Sequence, residues 1–299
     1  MFHSPQLKLI TVGICLFAAV QADNITQKRS NESGKSWATN ADWDWTAAGV
    51  TAGEYAGNDF ITPDTMTVRT PEGTHVTFAG DSLTVYGTLA LKSGNNTSAT
   101  KTVNDLRLAG TISNYVPSYS STIQTLTGNL SIIGDSLLTG TTSNARNITV
   151  ASQVSGGTGF TVNHTGNAGA KYTYSNAANT FDGTWQVTSA KLIFDNGGAT
   201  GTGDVIVDGG LFQINDSWNA GSSLTVNGGT VDFGANDWTV SNLKMGASSL
   251  GNGSYDATAL NGFGTGTFTG AGNIIVIPEP SSLILLGMAS FLIFAFRRK

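Results

Sequence analysis

Three consecutive segments of this sequence superimpose with their apolar residues in the same places, and that recurrence restricts the possible folds more than any other feature. The segments are residues 185–194, 205–214 and 224–233. Trp185, Val187, Leu192 and Phe194 of the first correspond to Val205, Val207, Phe212 and Ile214 of the second, about 20 residues on. They correspond again to Leu224, Val226, Val231 and Phe233 of the third, about 19 further. Each unit reads as two short strands with alternate residues directed to one apolar interior. In the last two copies Asp208-Gly209-Gly210 and Asn227-Gly228-Gly229 join the strands, and such glycine pairs permit a sharp turn with positive backbone dihedrals.

One such unit cannot bury its own apolar face, so it must stack on the next. The expected fold is therefore all-β: a right-handed parallel β-helix, a solenoid of about 20-residue coils. The same turns also describe hairpins, which leaves a β-sandwich as the alternative. Similar alternating stretches recur upstream at residues 83–91, 106–112 and 148–150, and helical periodicity is scarce between Trp37 and Val276. The spacing Val-x-Val-(Asp/Asn)-Gly-Gly-x-(Phe/Val)-x-(Ile/Phe) resembles the autotransporter-associated β-strand repeats of bacterial surface proteins, closely over residues 179–233 and loosely over 82–166. The segment 253–274 is similar to the closing element that follows such repeats. The long translocating barrel of true autotransporters has no counterpart in this sequence, so self-secretion is not implied.

Both ends read as targeting segments. Lys8 precedes an apolar run from Leu9 to Val20, and Val20-Gln21-Ala22 offers small residues for signal peptidase, with cleavage expected after Ala22. At the other end, Pro278-Glu279-Pro280 leads into an uncharged apolar run, residues 283–296, and then into Arg297, Arg298 and Lys299. The prolines remove backbone donors and hold Glu279 in an extended, readable stretch. The apolar run is short for a bilayer core of about 30 Å, which suits a transient membrane insertion, and the basic flank stays on the cytoplasmic side. Proline-glutamate-proline, apolar segment and basic cluster together resemble the PEP-CTERM sorting signal. That resemblance implies an exosortase-type membrane peptidase as a partner, after signal peptidase and the secretion machinery. The expected organisation is a signal peptide at 1–22, a linker with an aromatic cap at 23–81, the β-repeat domain at 82–276 and the sorting segment at 277–299, which includes one transmembrane helix. The expected route is export through the inner membrane as an anchored precursor, then the cell surface or the extracellular space.

Little in the chain suggests catalysis. The single cysteine, Cys15, falls in the signal, so the mature chain has no disulfide and no thiolate metal site. Charged residues make up only 12% of the chain against a usual value of about 25%. The net charge of −5, with no basic cluster outside the tail, argues against nucleic acid. His75 and His164 lack neighbouring ligands and read as exposed strand residues. Asp195, Asp204, Asp208, Asp216 and Asp232 read as turn residues that bond to nearby backbone, although a polysaccharide-cleaving pair of carboxylates remains a possible use. The glycine run at 197–204 lacks the nine-residue recurrence of aspartate that calcium-binding repeats require, and no metal or cofactor is expected. Trp37, Trp43 and Trp45 read as a lid over the first coil. Trp218 and Trp238, assigned to inter-strand loops, are the candidate sugar contacts. The leading expectation is a non-enzymatic, exported structural or adhesin-like protein, with extracellular polysaccharide as a candidate partner. A carbohydrate-binding module and a β-helix polysaccharide lyase or hydrolase are the alternatives.

Overall fold

In the computed structural model the described residues are 22–277, excepting 32–34, 95–96, 116–121, 141–146 and 220. They form a β-solenoid. Two long sheets, of 13 and 10 strands, run the length of the domain, and a four-stranded sheet joins them near the C-terminal end. The strands stack coil on coil in parallel. Among the described residues two antiparallel strand pairs occur, both in the closing segment: Asn242–Met245 with Ser248–Leu250, and Gly253–Tyr255 with Ile274–Val276.

The Asp-Gly-Gly and Asn-Gly-Gly turns do not make hairpins. Asp204–Val207 belongs to the 10-stranded sheet and Leu211–Ile214 to the 13-stranded one, so the turn at 208–210 is a corner between sheets. This excludes the β-sandwich alternative. The corner is close-packed: a Cβ on Gly210, whose φ is +66°, would lie 2.1 Å from the carbonyl oxygen of Ala190 in the preceding coil. Gly229 repeats the conformation at φ +73°, directly against the backbone of Gly209. Glycine is required here because successive turns rest on one another, backbone against backbone.

The register turns the repeat into ladders. Val205 pairs with Trp185 on one side and Leu224 on the other, while Phe212 pairs with Leu192 and Val231. These inner positions are buried, because alternate strand residues face the core and stacking brings like onto like. One ladder of the 10-stranded sheet reads Val68, Leu89, Ile112, Leu138, His164, Val187, Val207, Val226 and Met245. His164 is the polar rung among them.

The step of 19–20 residues holds from Tyr172 to Met245, somewhat beyond the segment that revealed it, and longer coils occur upstream. Leu192 pairs with Tyr172 and Phe212, a step of 20 on either side, whereas Ile148 pairs with Gln124 and Tyr172, a step of 24, and His164 pairs with Leu138, a step of 26. The extra residues lengthen the coils, and in one place they break the register within a strand, between Val103 and Asp105 where Ala99–Leu108 pairs with Ile123–Ile132. Parallel stacking also begins well ahead of residue 82: Asn24–Thr26 pairs with Asp59–Thr62, and that strand with Ser82–Val85. Residues 23–81 therefore include the first coils. Within them, Trp43, Trp45 and Tyr55 surround Phe60, while Trp37 and Tyr55 meet Phe78, with ring centroids 4.9–6.3 Å apart. The indoles of Trp43 and Trp45 donate to the carbonyls of Trp37 and Asn40, so each large ring keeps a polar partner inside the cluster.

Candidate functional site

The N-terminal segment expected to be a signal peptide and the C-terminal tail flank the described solenoid. Asp23 already belongs to the first coil, its carbonyl accepting from Asp59 N at 3.0 Å, so a cut after Ala22 would leave every described strand whole. At the far end Ile277 N donates to Val240 O at 3.0 Å, and the Ile277 side chain is 59% exposed. The described part of the solenoid thus ends at the residue before Pro278. Pro278, Glu279 and Pro280, the apolar run and Arg297, Arg298 and Lys299 lie outside the described residues, as do residues 1–21, where a signal peptide is expected. Among the described residues no helix is long and apolar enough to cross a membrane.

The five aspartates considered for a cleaving pair all have local partners. Asp204 accepts from Ser223 N in the next coil at 2.7 Å, Asp216 from Ser217 N at 2.8 Å, and Asp232 from Gly234 N at 3.0 Å. Asp208 accepts from the amides of Gln186 and Asn227, at 2.5 and 2.7 Å, and so links three coils at one corner. Asp195 accepts from Asn215 Nδ2 at 3.3 Å. The same device recurs outside the close repeats, where Asp135 accepts from Thr161 N and Asp237 from Asn273 N. An aspartate at a coil entry satisfies a backbone donor of the next coil, which is a use of carboxylate that the turn reading only half anticipates. Among the described residues no group of three or more His, Cys, Asp or Glu side chains is placed to share a metal ion.

The tryptophan assignment needs correction. Trp218 and Trp238 are fully buried rather than presented on loops. Each starts a short strand, the two pair in register, and their rings meet edge to face at 5.7 Å. Phe212 and Phe233 complete the stack. The physical reason is the repeat itself: set one coil apart, the two indoles occupy one inner ladder and are driven into the core by their apolar area. Over this coil lies an open cleft of about 460 Å³, lined by Asn179, Thr202, Asp216, Ser217 and Asn219 with glycine backbone. Neither indole lines it.

His164 also needs correction, whereas His75 is exposed as expected. His164 is completely buried, with Nδ1 2.8 Å from Gln186 O and Nε2 2.8 Å from the Tyr174 hydroxyl. Its ring lies against Tyr172, Tyr174 and Trp185. Burial pushes its pKa down to about 4, and the hydrogen bond to Gln186 offsets only some of that. Burial likewise raises Tyr172 and Tyr174 well above the usual phenol range, so both stay neutral wherever His164 titrates. The imidazole is thus a neutral core side chain with both nitrogens engaged. The signal is present in the alternation: Val162 and His164 share a face, and Val162 is an inner residue.

Residues 276–299 match the PEP-CTERM protein-sorting motif. The motif implies export, a membrane-anchored sorting signal and processing by an exosortase. Neither a curated protein nor a solved structure matches the chain.

Proposed function

We propose that this chain is a structural protein of the cell surface or extracellular matrix, delivered by its tail rather than defined by a catalytic centre. In this reading signal peptidase cuts after Ala22, and the apolar run at 283–296 holds the precursor in the inner membrane with Arg297, Arg298 and Lys299 inside. An exosortase then acts at Pro278-Glu279-Pro280 and passes the solenoid on to the surface. The observation that carries the proposal is the sorting motif beginning at residue 276, within the last described solenoid strand. The solenoid fits the role. It is stiffened by stacked ladders, its coil-entry aspartates are occupied by backbone and amide donors, and its surface is polar with few charges. The likeness of residues 179–233 to autotransporter-associated repeats, and a right-handed winding of the coils, belong to the same reading. Nearly all parallel strand crossovers within one sheet take that hand.

The test is C-terminal mass mapping of the protein from separated cell fractions, with and without the exosortase. The expected result is a surface form truncated near Pro278 that disappears when the peptidase is deleted. Lys299 retained in every fraction of the unmodified cells would refute it.

A further inference from the structure

We propose that the cleft formed by Lys35, Ser36, Thr70, Pro71, Glu72 and Lys92 binds a carboxylate-bearing sugar residue of an acidic polysaccharide. The cleft has a volume of about 300 Å³. Its surroundings invert the charge of the molecule. In a chain of net charge −5, Lys35 and Lys92 line the cleft beside the carboxylate of Glu72, Lys101 is buried beneath the same turn, and Arg69 directly precedes it in sequence.

Lys92, Lys101 and Arg69 are placed by the stack. Lys92 follows the strand Thr88–Leu91, its backbone N donates to Thr70 Oγ1 at 2.7 Å, and its ammonium meets Glu72 at 2.6 Å on the rim. Lys101 occupies an inner strand position, fully buried, and extends beneath the turn to donate to Pro71 O at 2.7 Å and Gly73 O at 3.0 Å. Burial lowers its pKa to about 8, opposed by Glu72, so it still carries its proton at neutral pH. Arg69 precedes Thr70 and lies with its guanidinium 4.4 Å from the centre of the Tyr115 ring. Tyr115 is 38% exposed, and its backbone N bonds to Leu91 O, which places it one coil beyond Lys92.

These features suit a uronate better than a bare anion. Ammonium groups on the walls recognise the carboxylate, and the Glu72–Lys92 pair opens to admit it on the side of Glu72, which is 58% exposed, while Lys92, only 13% exposed, exchanges that carboxylate for the ligand's. Ser36 supplies a hydroxyl partner for sugar hydroxyls. The exposed portion of the Tyr115 ring, one step along the stack, gives a platform for the apolar face of a neighbouring sugar. The site needs only the folded solenoid, so its fate is independent of whether the tail is processed.

The experiment is titration calorimetry on the full chain in detergent at low ionic strength. The probes are a hexameric oligouronate, glucuronate, a neutral glucose hexamer and inorganic sulfate. Oligouronate is expected to bind more tightly than glucuronate, both more tightly than sulfate, and the neutral hexamer not at all. Lys35→Gln and Lys92→Gln should each weaken oligouronate about tenfold, whereas Glu72→Gln should tighten it several-fold by removing the competing carboxylate. Tyr115→Ala should weaken oligouronate and leave glucuronate unchanged. A gain on Glu72→Gln is not what a damaged fold would give, so that variant keeps the result interpretable if the lysine variants lose stability. Absence of oligouronate binding, equal affinity for the neutral hexamer, sulfate matching glucuronate, or indifference to all three charge substitutions would each overturn the proposal.

Discussion

Replacing His164 by leucine should make the stability of the solenoid less sensitive to acid. In the folded chain the imidazole titrates near pH 4, against 6.5 when free in an unfolded chain. Between those values the unfolded state takes up a proton that the folded state refuses, so stability is complete above about pH 6.5, falls as the pH drops toward 4, and is level below that. A shift of this size, at about 1.4 kcal/mol per unit, amounts to about 3 kcal/mol lost across the window. Leucine suits the ladder, where Leu138 and Val187 are the neighbouring rungs, but it strands the Tyr174 hydroxyl and the Gln186 carbonyl. Each loss costs about 1–3 kcal/mol. The variant should therefore be the weaker protein at pH 7.5, and its deficit should shrink by about 3 kcal/mol by pH 4. Urea unfolding followed by tryptophan fluorescence, for both proteins across that range, subtracts the carboxylate background they share. A separation between the two proteins that stays constant with pH would show that His164 does not titrate as its burial requires.

All six tryptophans are at most 5% exposed, so the native protein should emit at short wavelength and resist acrylamide quenching, and saturating neutral sugar should leave the spectrum unchanged. Efficient quenching of one or more indoles in the folded state would contradict the inward placement of Trp218 and Trp238. Trp238→Ala should cost about 3–5 kcal/mol through the cavity it leaves between Phe212, Trp218 and Phe233, measurable as an early unfolding phase of the C-terminal coils. Gly210→Ala should destabilise far more than Gly49→Ala. Both glycines have φ near +70°, but only the first has a carbonyl 2.1 Å from the added methyl, so equal shifts in thermal midpoint would discount the stacked-corner argument.

The stretch of the fold that the sequence discloses is the one where coils are short. Between Tyr172 and Val231 the paired inner residues recur at a nearly constant step, and three copies can be laid over one another by eye. Upstream the strands still stack in parallel, but the step between rungs varies and the register shifts once, between Val103 and Asp105, so a fixed-period comparison loses phase. The first coils escape notice for the same reason, since Ile25 finds its partner only at Phe60, beyond a long aromatic-rich excursion. Trp218 and Trp238 read as loop residues because their strands are too short to show alternation, although the one-coil spacing between them is itself the ladder signal. His164 reads as exposed when judged by residue type, against a parity that places it inside. The basic cleft is not legible, because Lys35, Lys92 and the buried Lys101 come from separate segments that meet only in the folded chain. The sorting tail needs no folding to be read, since its order along the chain is its meaning.

Stacking one strand per coil also fixes how this molecule would answer a pull. The described chain enters at the first strand of the long sheet, Asn24–Thr26, and ends on Ile274–Val276, a strand of the four-stranded sheet at the far end of the stack. Tension between Asp23 and Ile277 therefore acts along the hydrogen bonds between coils, which lie parallel to the axis at steps of about 4.8 Å. Bonds loaded in that direction give way rung by rung instead of shearing together. A tether built this way would lengthen gradually under load, each released coil adding its own contour as slack, and would shorten again as the glycine corners reseat.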